Sequence, residues 1–272
     1  MATVGPPVVF VHGMFLHATS WDAWVASFQA QGYAAVAPGW PGEPATVADA
    51  REHPGSVAGT GIDDIVAHYE KIIRGLEARP IVIGHSTGGV IVQRLLGQGL
   101  AAAAVAIQPA PIKGVVTLAP STARAGWMAL RNPANRGRAV SLTQGQFRYI
   151  FGSAVPAAES DELYDRWAIP SPGRPVFELA CANLSRRSPA RVNTAGPARG
   201  PLLLIAGGRD HPAPATVVKA TARRYRGSAS AIDYQEFPDR GHSLPVDSGW
   251  REVADATLTW LNARASALSS GI

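Results

Sequence analysis

Six short apolar runs punctuate the chain, at Val8–Val11, Ala34–Ala37, Ile81–Ile83, Val115–Leu118, Leu202–Ala206 and Ile232–Phe237. The first five are continuous rather than alternating, the pattern of parallel strands buried on both faces. Between the runs, apolar positions repeat every three to four residues. Trp21, Trp24, Val25 and Phe28 share one helical face, with Thr19 or Ser20 placed to cap it. Ile62, Ile65, Val66, Tyr69, Ile72, Ile73 and Leu76 form a second face, and Pro80 stops the chain before the next strand. Val253, Ala254, Thr257, Leu258 and Leu261 form a last one. Strand and helix in alternation predict a parallel sheet with helices on both sides.

The alternation breaks once. Residues 121–198 carry no convincing strand run; short helical patches hold Trp127, Met128, Phe147, Tyr149, Phe151, Tyr164, Trp167 and Phe177 among prolines and arginines. That is too long for a plain connection in a compact domain. It reads as an inserted helical cap, leaving 1–120 and 199–272 as the core. The alanine run Ala101–Ala104 reads as a helix end and a loop.

One motif changes the picture from fold to chemistry. Gly84-His85-Ser86-Thr87-Gly88 is a G-x-S-x-G sequence between a β-branched run and a helical one. A serine in such a tight, strained turn has its hydroxyl lifted above the sheet edge. Glycines two before and two after remove side chains that would collide there. The helix that follows aims backbone N–H groups at a developing oxyanion.

A nucleophilic serine needs a base, and the base needs a carboxylate to hold it. Asp210 follows the run ending at Gly207, and His242 follows the run ending at Phe237. Each falls just past the C-terminal end of a parallel strand, where the sites of such sheets gather. Asp239 is too close to His242 in sequence to reach its far ring nitrogen, and reads as a solvated turn residue. Asp247 or Ser248 suits the cap of the last helix. His85 and His211 read as partners in structural hydrogen bonds, and His12 as a brace for the loop after the first strand. In that loop Gly13 permits close approach, and the amide of Met14, with that of Thr87, supplies an oxyanion hole.

Taken together, the "HGMF" loop, "GHSTGG" elbow, "GGRD" acid loop and "GH" histidine loop resemble the α/β-hydrolase family from roughly Val8 to Ala263. The resemblance implies Ser86 as nucleophile, His242 as base, Asp210 as acid, and Met14 and Thr87 as oxyanion donors. It implies an α/β-hydrolase fold with about six parallel strands. The two further strands that relatives often carry are expected to be absent, since only seven residues precede Val8. Serine rather than aspartate as nucleophile argues against the dehalogenase and epoxide-hydrolase branches. The activity implied is hydrolysis of a carboxylic ester or lactone through an acyl-enzyme, with no metal or organic cofactor. C–C bond hydrolases, perhydrolase-type haloperoxidases and hydroxynitrile lyases use the same triad and stay open, as does an idle-triad binding protein. By chain position, Phe15 and Leu16 floor the pocket, and Trp127, Phe147, Phe151 and Trp167 line it from the cap.

Composition adds three points. Of the 272 residues, 46% are hydrophobic, enough for a large core. The single cysteine, Cys181, excludes an internal disulfide framework. The N-terminus lacks a signal-peptide pattern and no apolar stretch suits a membrane span, so a cytoplasmic protein is expected. The net charge of +5, the third compositional point, is uneven. Residues 120–200 hold eleven Arg and no Lys against five acidic residues. No nucleic-acid motif accompanies them. A solvated surface or the attraction of anionic substrates accounts for the excess.

Overall fold

The structure is a computed structural model, and it describes residues 5–116, 119–196 and 199–264. Its strands are β1 (Val8–Val11), β2 (Ala35–Val36), β3 (Ile81–His85), β4 (Ala103–Ile107), β5 (Ala139–Val140), β6 (Ser171–Pro172), β7 (Leu202–Gly207) and β8 (Ile232–Phe237). Its helices are α1 (Asp22–Ala30), α2 (Val47–Glu52), α3 (Ile62–Arg74), α4 (Thr87–Gly97), α5 (Pro120–Leu130), α6 (Gln144–Ile150), α7 (Ala157–Trp167), α8 (Arg174–Ala180), α9 (Ala215–Arg224) and α10 (Trp250–Asn262). Six strands form one parallel sheet in the order β2-β1-β3-β4-β7-β8.

The continuous apolar runs are explained by where their alternate residues go. Val9, Val11, Val82, Ala104, Leu202 and Leu204 join a core beneath α3, α4 and α9. Val8, Phe10, Ile81, Ile83, Ala103, Leu203 and Ile205 join a second core beneath α1 and α10. Each strand is thus apolar on both faces, at about 1.5–3 kcal/mol per fully buried large side chain. β8 is the exception: an edge strand, only half buried, with an alternating sequence.

One expected strand is misplaced and one was missed. Val115 and Val116 lie in no strand, and residues 117–118 fall outside the described residues. The sheet takes its sixth strand from Ala103–Ile107 instead, overlapping the alanine run read as a helix end and loop. Alanine has little intrinsic strand preference. These alanines are strand because β4 sits between β3 and β7, fully buried, with α4 laid close over it. Small side chains fit that close crossing. The pairing, not the propensity, decides the conformation.

The first helix also starts differently. Trp21 precedes α1 without a side-chain cap, while His17 caps a single 3₁₀ turn over Ala18–Trp21. The aromatic ladder it carries is as the spacing predicts: Trp21, Trp24 and Phe28 surround Phe10 at 5.0–6.0 Å. The last helix begins after Gly249; Asp247 accepts from the Gly249 amide and pairs with Arg240 rather than capping directly.

Between β4 and β7 the chain runs through α5 to α8. The expectation of no strand there needs correction, since β5 and β6 pair antiparallel. At two residues each they leave no periodic signal. This segment is stitched to the loop after β1. Phe15 N donates to Ser171 Oγ at 2.6 Å, Ile169 N donates to Phe15 O at 3.1 Å, and His17 N to Trp167 O at 3.0 Å. Arg51 donates to the carbonyls of Tyr164, Asp165 and Ala168 at the end of α7, where exposed C=O groups attract a cation. Among the described residues no helix is long and apolar enough to cross a membrane.

Candidate active site

Two parallel strands end directly before a residue at positive φ, and the loop after a third holds another. Ser86, after β3, has φ 54°, and Gln108, after β4, has φ 45°; Phe15, in the loop after β1, has φ 66°. L-residues rarely adopt such angles, and their clustering at one edge of the sheet marks stored strain at a site. Gly13 explains how the loops fit. A Cβ there would stand 2.9 Å from Ser86 Cβ and 3.0 Å from His85 O. The β1 loop therefore lies directly against the serine turn.

Asp210 and His242 are almost fully buried. Their side chains meet with His242 Nδ1 2.6 Å from Asp210 Oδ2. A carboxylate only accepts, so Nδ1 carries the proton and Nε2 is left as an acceptor. Asp210 Oδ1 accepts from Ala213 N at 2.7 Å, which fixes the carboxylate plane. Ser86, Thr87, Met14 and His242 line one cavity of about 590 Å³. The Ser86 hydroxyl has no hydrogen-bond partner among the described residues, leaving it free to turn in the cavity; such bonds often tighten only with substrate present. Neither the Met14 nor the Thr87 amide has a backbone acceptor among the described residues.

The His242 loop is held from three directions. Gln108 Nε2 donates to Gly241 O at 2.5 Å, Ser243 N donates to Phe151 O at 3.2 Å, and Trp24 Nε1 donates to Pro245 O at 2.7 Å. Gln108 is a positioning residue the sequence reading missed. Its signal was present, a polar side chain after an apolar run and before Pro109, but only a reader who had seen β4 would find it. Glu43 was missed as well. Its buried carboxylate sits 2.9 Å from His12 Nε2 and accepts from Ala18 N at 3.0 Å. The His12 and His17 charges and these hydrogen bonds hold its acid below the ordinary carboxylate value, against the burial that pushes it up. His12, stacked on Trp40 at 4.8 Å, thereby braces the β1 loop. Nothing in the "PGWPGEP" turn announces this role.

The other singled-out residues take these places. Asp239 is exposed, and His242 Nδ1 bonds Asp210 instead. His211 makes a structural bond, Nδ1 to Tyr149 O at 2.8 Å. His85 does not make the hydrogen bond expected of it: both ring nitrogens are buried without a partner. Its ring packs 4.6 Å from His242 and 6.3 Å from Phe151. Of the expected pocket residues, Phe15 and Phe151 line the cavity. Leu16, Phe147 and Trp167 are buried elsewhere, Phe147 stacking behind Phe151 at 4.5 Å. Trp127 points to solvent, 64% exposed. Pro111, Val115, Ala119, Leu130, Val176 and Leu179 supply the walls instead. Arg124 lies over the Tyr149 ring and Arg148 pairs with Asp161 at 2.5 Å, so neither faces the cavity.

His85 carries a pH consequence. Burial, then the His242 and His12 charges, push its pKa well below the ordinary histidine value; the nearby His242 backbone and Gln108 amide oppose this only in part. Below about pH 6.5 the unfolded chain takes up a proton here that the folded chain does not, so stability falls as pH drops. Urea titrations at about pH 7 and about pH 5 are expected to show a steeper loss for the native protein than for His85→Gln, by up to about 1.4 kcal/mol per pH unit. Parallel losses would refute it.

Comparisons with known proteins fit this geometry. The sequence model described as the alpha/beta hydrolase family matches residues 8–256. No curated protein matches the chain. Among solved structures, a monoacylglycerol lipase from Paleococcus ferrophilus is similar at 21% identity and TM-score 0.64, over 94% of this chain and 95% of that one. A methylesterase from Arabidopsis is similar at 17% identity and TM-score 0.64, over 94% and 99%. A pyrethroid hydrolase from Sphingobium faniae is similar at 18% identity and TM-score 0.64, over 97% and 100%.

Proposed function

The chain belongs to the alpha/beta hydrolase family, and on that premise we infer that it is a serine hydrolase cleaving a small, neutral, largely apolar carboxylic ester. The observation that carries the reading is the buried Asp210–His242 pair opening onto the same cavity as Ser86, whose backbone is held at positive φ. Ser86 Oγ attacks the acyl carbonyl while His242 Nε2 takes its proton. Asp210 holds the imidazole in the required tautomer and stabilises the imidazolium. The Met14 and Thr87 amides receive the oxyanion, at about 3 kcal/mol per donor in comparable enzymes. His242 then protonates the leaving alcohol, and water repeats the sequence on the acyl-enzyme. The names of the similar structures, a lipase and a methylesterase among them, support ester chemistry. Residues 121–198 act in this reading as a cap that walls the site.

Substrate class follows from the walls. No Arg, Lys, Asp or Glu lines the cavity among the described residues. A carboxylate bound there would be desolvated without a partner, a cost of several kcal/mol. In a series of p-nitrophenyl esters of rising acyl length, kcat/KM is expected to peak at one length. It should be lower by about 100-fold or more for a hemisuccinate than for a neutral ester of similar size. Equal rates on both would overturn the neutral-substrate reading. Absence of turnover on every ester, with the protein folded, would overturn the esterase reading and favour a C–C hydrolase or a lyase; trapping an acyl group on Ser86 by mass spectrometry would exclude the lyase.

A further inference from the structure

The arginine excess between residues 120 and 200 is not absorbed by the reaction, because no Arg or Lys among the described residues lines the catalytic cavity. Part of it converges elsewhere. A concavity of about 850 Å³ is bordered by Arg94, Lys113, Arg187, Arg191 and Arg224. Among the described residues the one carboxylate on its wall is Asp63, already paired with Arg94 at 2.5 Å. Arg187, Arg191 and Arg224 have no acidic partner among the described residues. Arg74, Arg148, Arg174, Arg240 and Arg264 each pair with a carboxylate.

The groove is built rather than merely crowded. Arg224's guanidinium rests on Gly114, where φ is +91° and a Cβ would stand 2.9 Å from its Cζ. Gly114 N donates to Asn183 Oδ1 at 2.6 Å, and Asn183 Nδ2 donates to Val115 O at 3.0 Å. Lys113 Nζ donates to the carbonyls of Ser185 and Ala182 at 2.7 and 3.3 Å, so its position is fixed while its charge stays uncompensated. Arg94 donates to Pro189 O at 2.8 Å, tying the wall that carries Arg187 and Arg191 to α4. Arg94 and Lys113 are thus held by backbone carbonyls and Arg224 lies against Gly114, beside the exposed Arg187 and Arg191, which leaves the repulsion among like charges to be relieved by an anion.

We propose that this groove binds the phosphates of a small organic diphosphate. Five cations against one carboxylate leave a formal excess of four, more than enough to offset the roughly two to three negative charges of an esterified diphosphate. Guanidinium forks suit phosphate oxygens bidentately. The bounded shape argues for a small molecule. Among the described residues no aromatic side chain lines the groove, so it offers no stacking platform of the kind single-stranded nucleic acids use. The groove also shares a wall with the catalytic cavity: Asn183 borders both, and the 113–115 turn passes from one to the other. The diphosphate is therefore either a handle outside the catalytic cavity on a substrate whose neutral acyl end alone reaches Ser86, which would replace the small-ester reading above by a larger acyl donor, or a separate ligand beside the site. The proposal stands whether or not the ester chemistry above is correct.

Calorimetric titration with inorganic pyrophosphate and with ADP tests it. Both are expected to bind, with affinity falling as sodium chloride is raised. Arg187→Ala/Arg191→Ala should weaken both by about tenfold or more, while Arg223→Ala, which removes an exposed charge outside the groove, should change neither by more than about twofold. Absence of binding up to about 10 mM, or equal weakening by Arg223→Ala, would overturn the site. Two further arms separate the sources. A fall in kcat/KM of the double variant on an acyl thioester of an ADP-containing carrier, with p-nitrophenyl ester turnover unchanged, identifies a substrate handle. Binding of ADP without such a fall identifies a separate ligand.

Discussion

Ser86→Ala is expected to lower kcat on the best p-nitrophenyl ester by about 10⁴- to 10⁶-fold, the loss seen when the nucleophile of a triad is removed. The size follows from the role. The one other hydroxyl in the turn, that of Thr87, is a buried secondary alcohol one residue past the elbow, and under the proposed mechanism the Met14 and Thr87 amides and the cavity preserve only residual catalysis. Folding should survive. Alanine keeps the Cβ, and the Ser86 side chain surrenders no hydrogen bond among the described residues. Thermal unfolding within about 1 kcal/mol of native, together with lost turnover, separates chemistry from stability. Turnover within about tenfold of native would remove Ser86 from the mechanism, whatever the fold.

Gly88→Ala is expected to cost at least about 3 kcal/mol of stability, or to prevent folding. Gly88 opens α4 one residue after Thr87, and a Cβ there would overlap the Val11 carbonyl oxygen and stand 2.5 Å from that of His12. Both are backbone atoms at the end of β1, so no side chain can swing away. Relief would require α4 to withdraw from the sheet, carrying the Thr87 amide from the oxyanion position. The contrast is Gly145→Ala in α6, where a new Cβ meets nothing within 4 Å. That change should be neutral or stabilising by up to about 1 kcal/mol, since alanine prefers the helix. Equal denaturant midpoints for the two variants would show that the close packing at Gly88 has no energetic weight.

How much was legible in advance differs between elements for a physical reason. β1, β3 and β7 were readable because apolar β-branched or leucine-rich runs carry their own signal, β8 from Ile232, Tyr234 and Phe237 set among polar residues, and α3 from its amphipathic spacing. β4 was not. Its Ala-Ala-Val-Ala-Ile sequence is strand only because it lies between two partners and beneath a close helix. Missing it also hid Gln108, whose grip on the Gly241 carbonyl spans 133 residues. Glu43 was hidden for the same cause. Its partner His12 lies in another loop, and a carboxylate in a Pro/Gly turn has no local mark of burial.

By itself, then, the amino-acid pattern determined a parallel α/β architecture, a serine in a strand–helix turn, and an acid and a histidine each just past a later strand. These depend on periodicity, on backbone freedom at glycine and on loop position, all of which act within a few residues. Only the tertiary structure decided which side chains wall the cavity, that no arginine enters it, that His85 is buried without a partner, and that five cations converge on a separate groove. Those outcomes rest on where a side chain points once distant segments have packed, and no local preference encodes that direction.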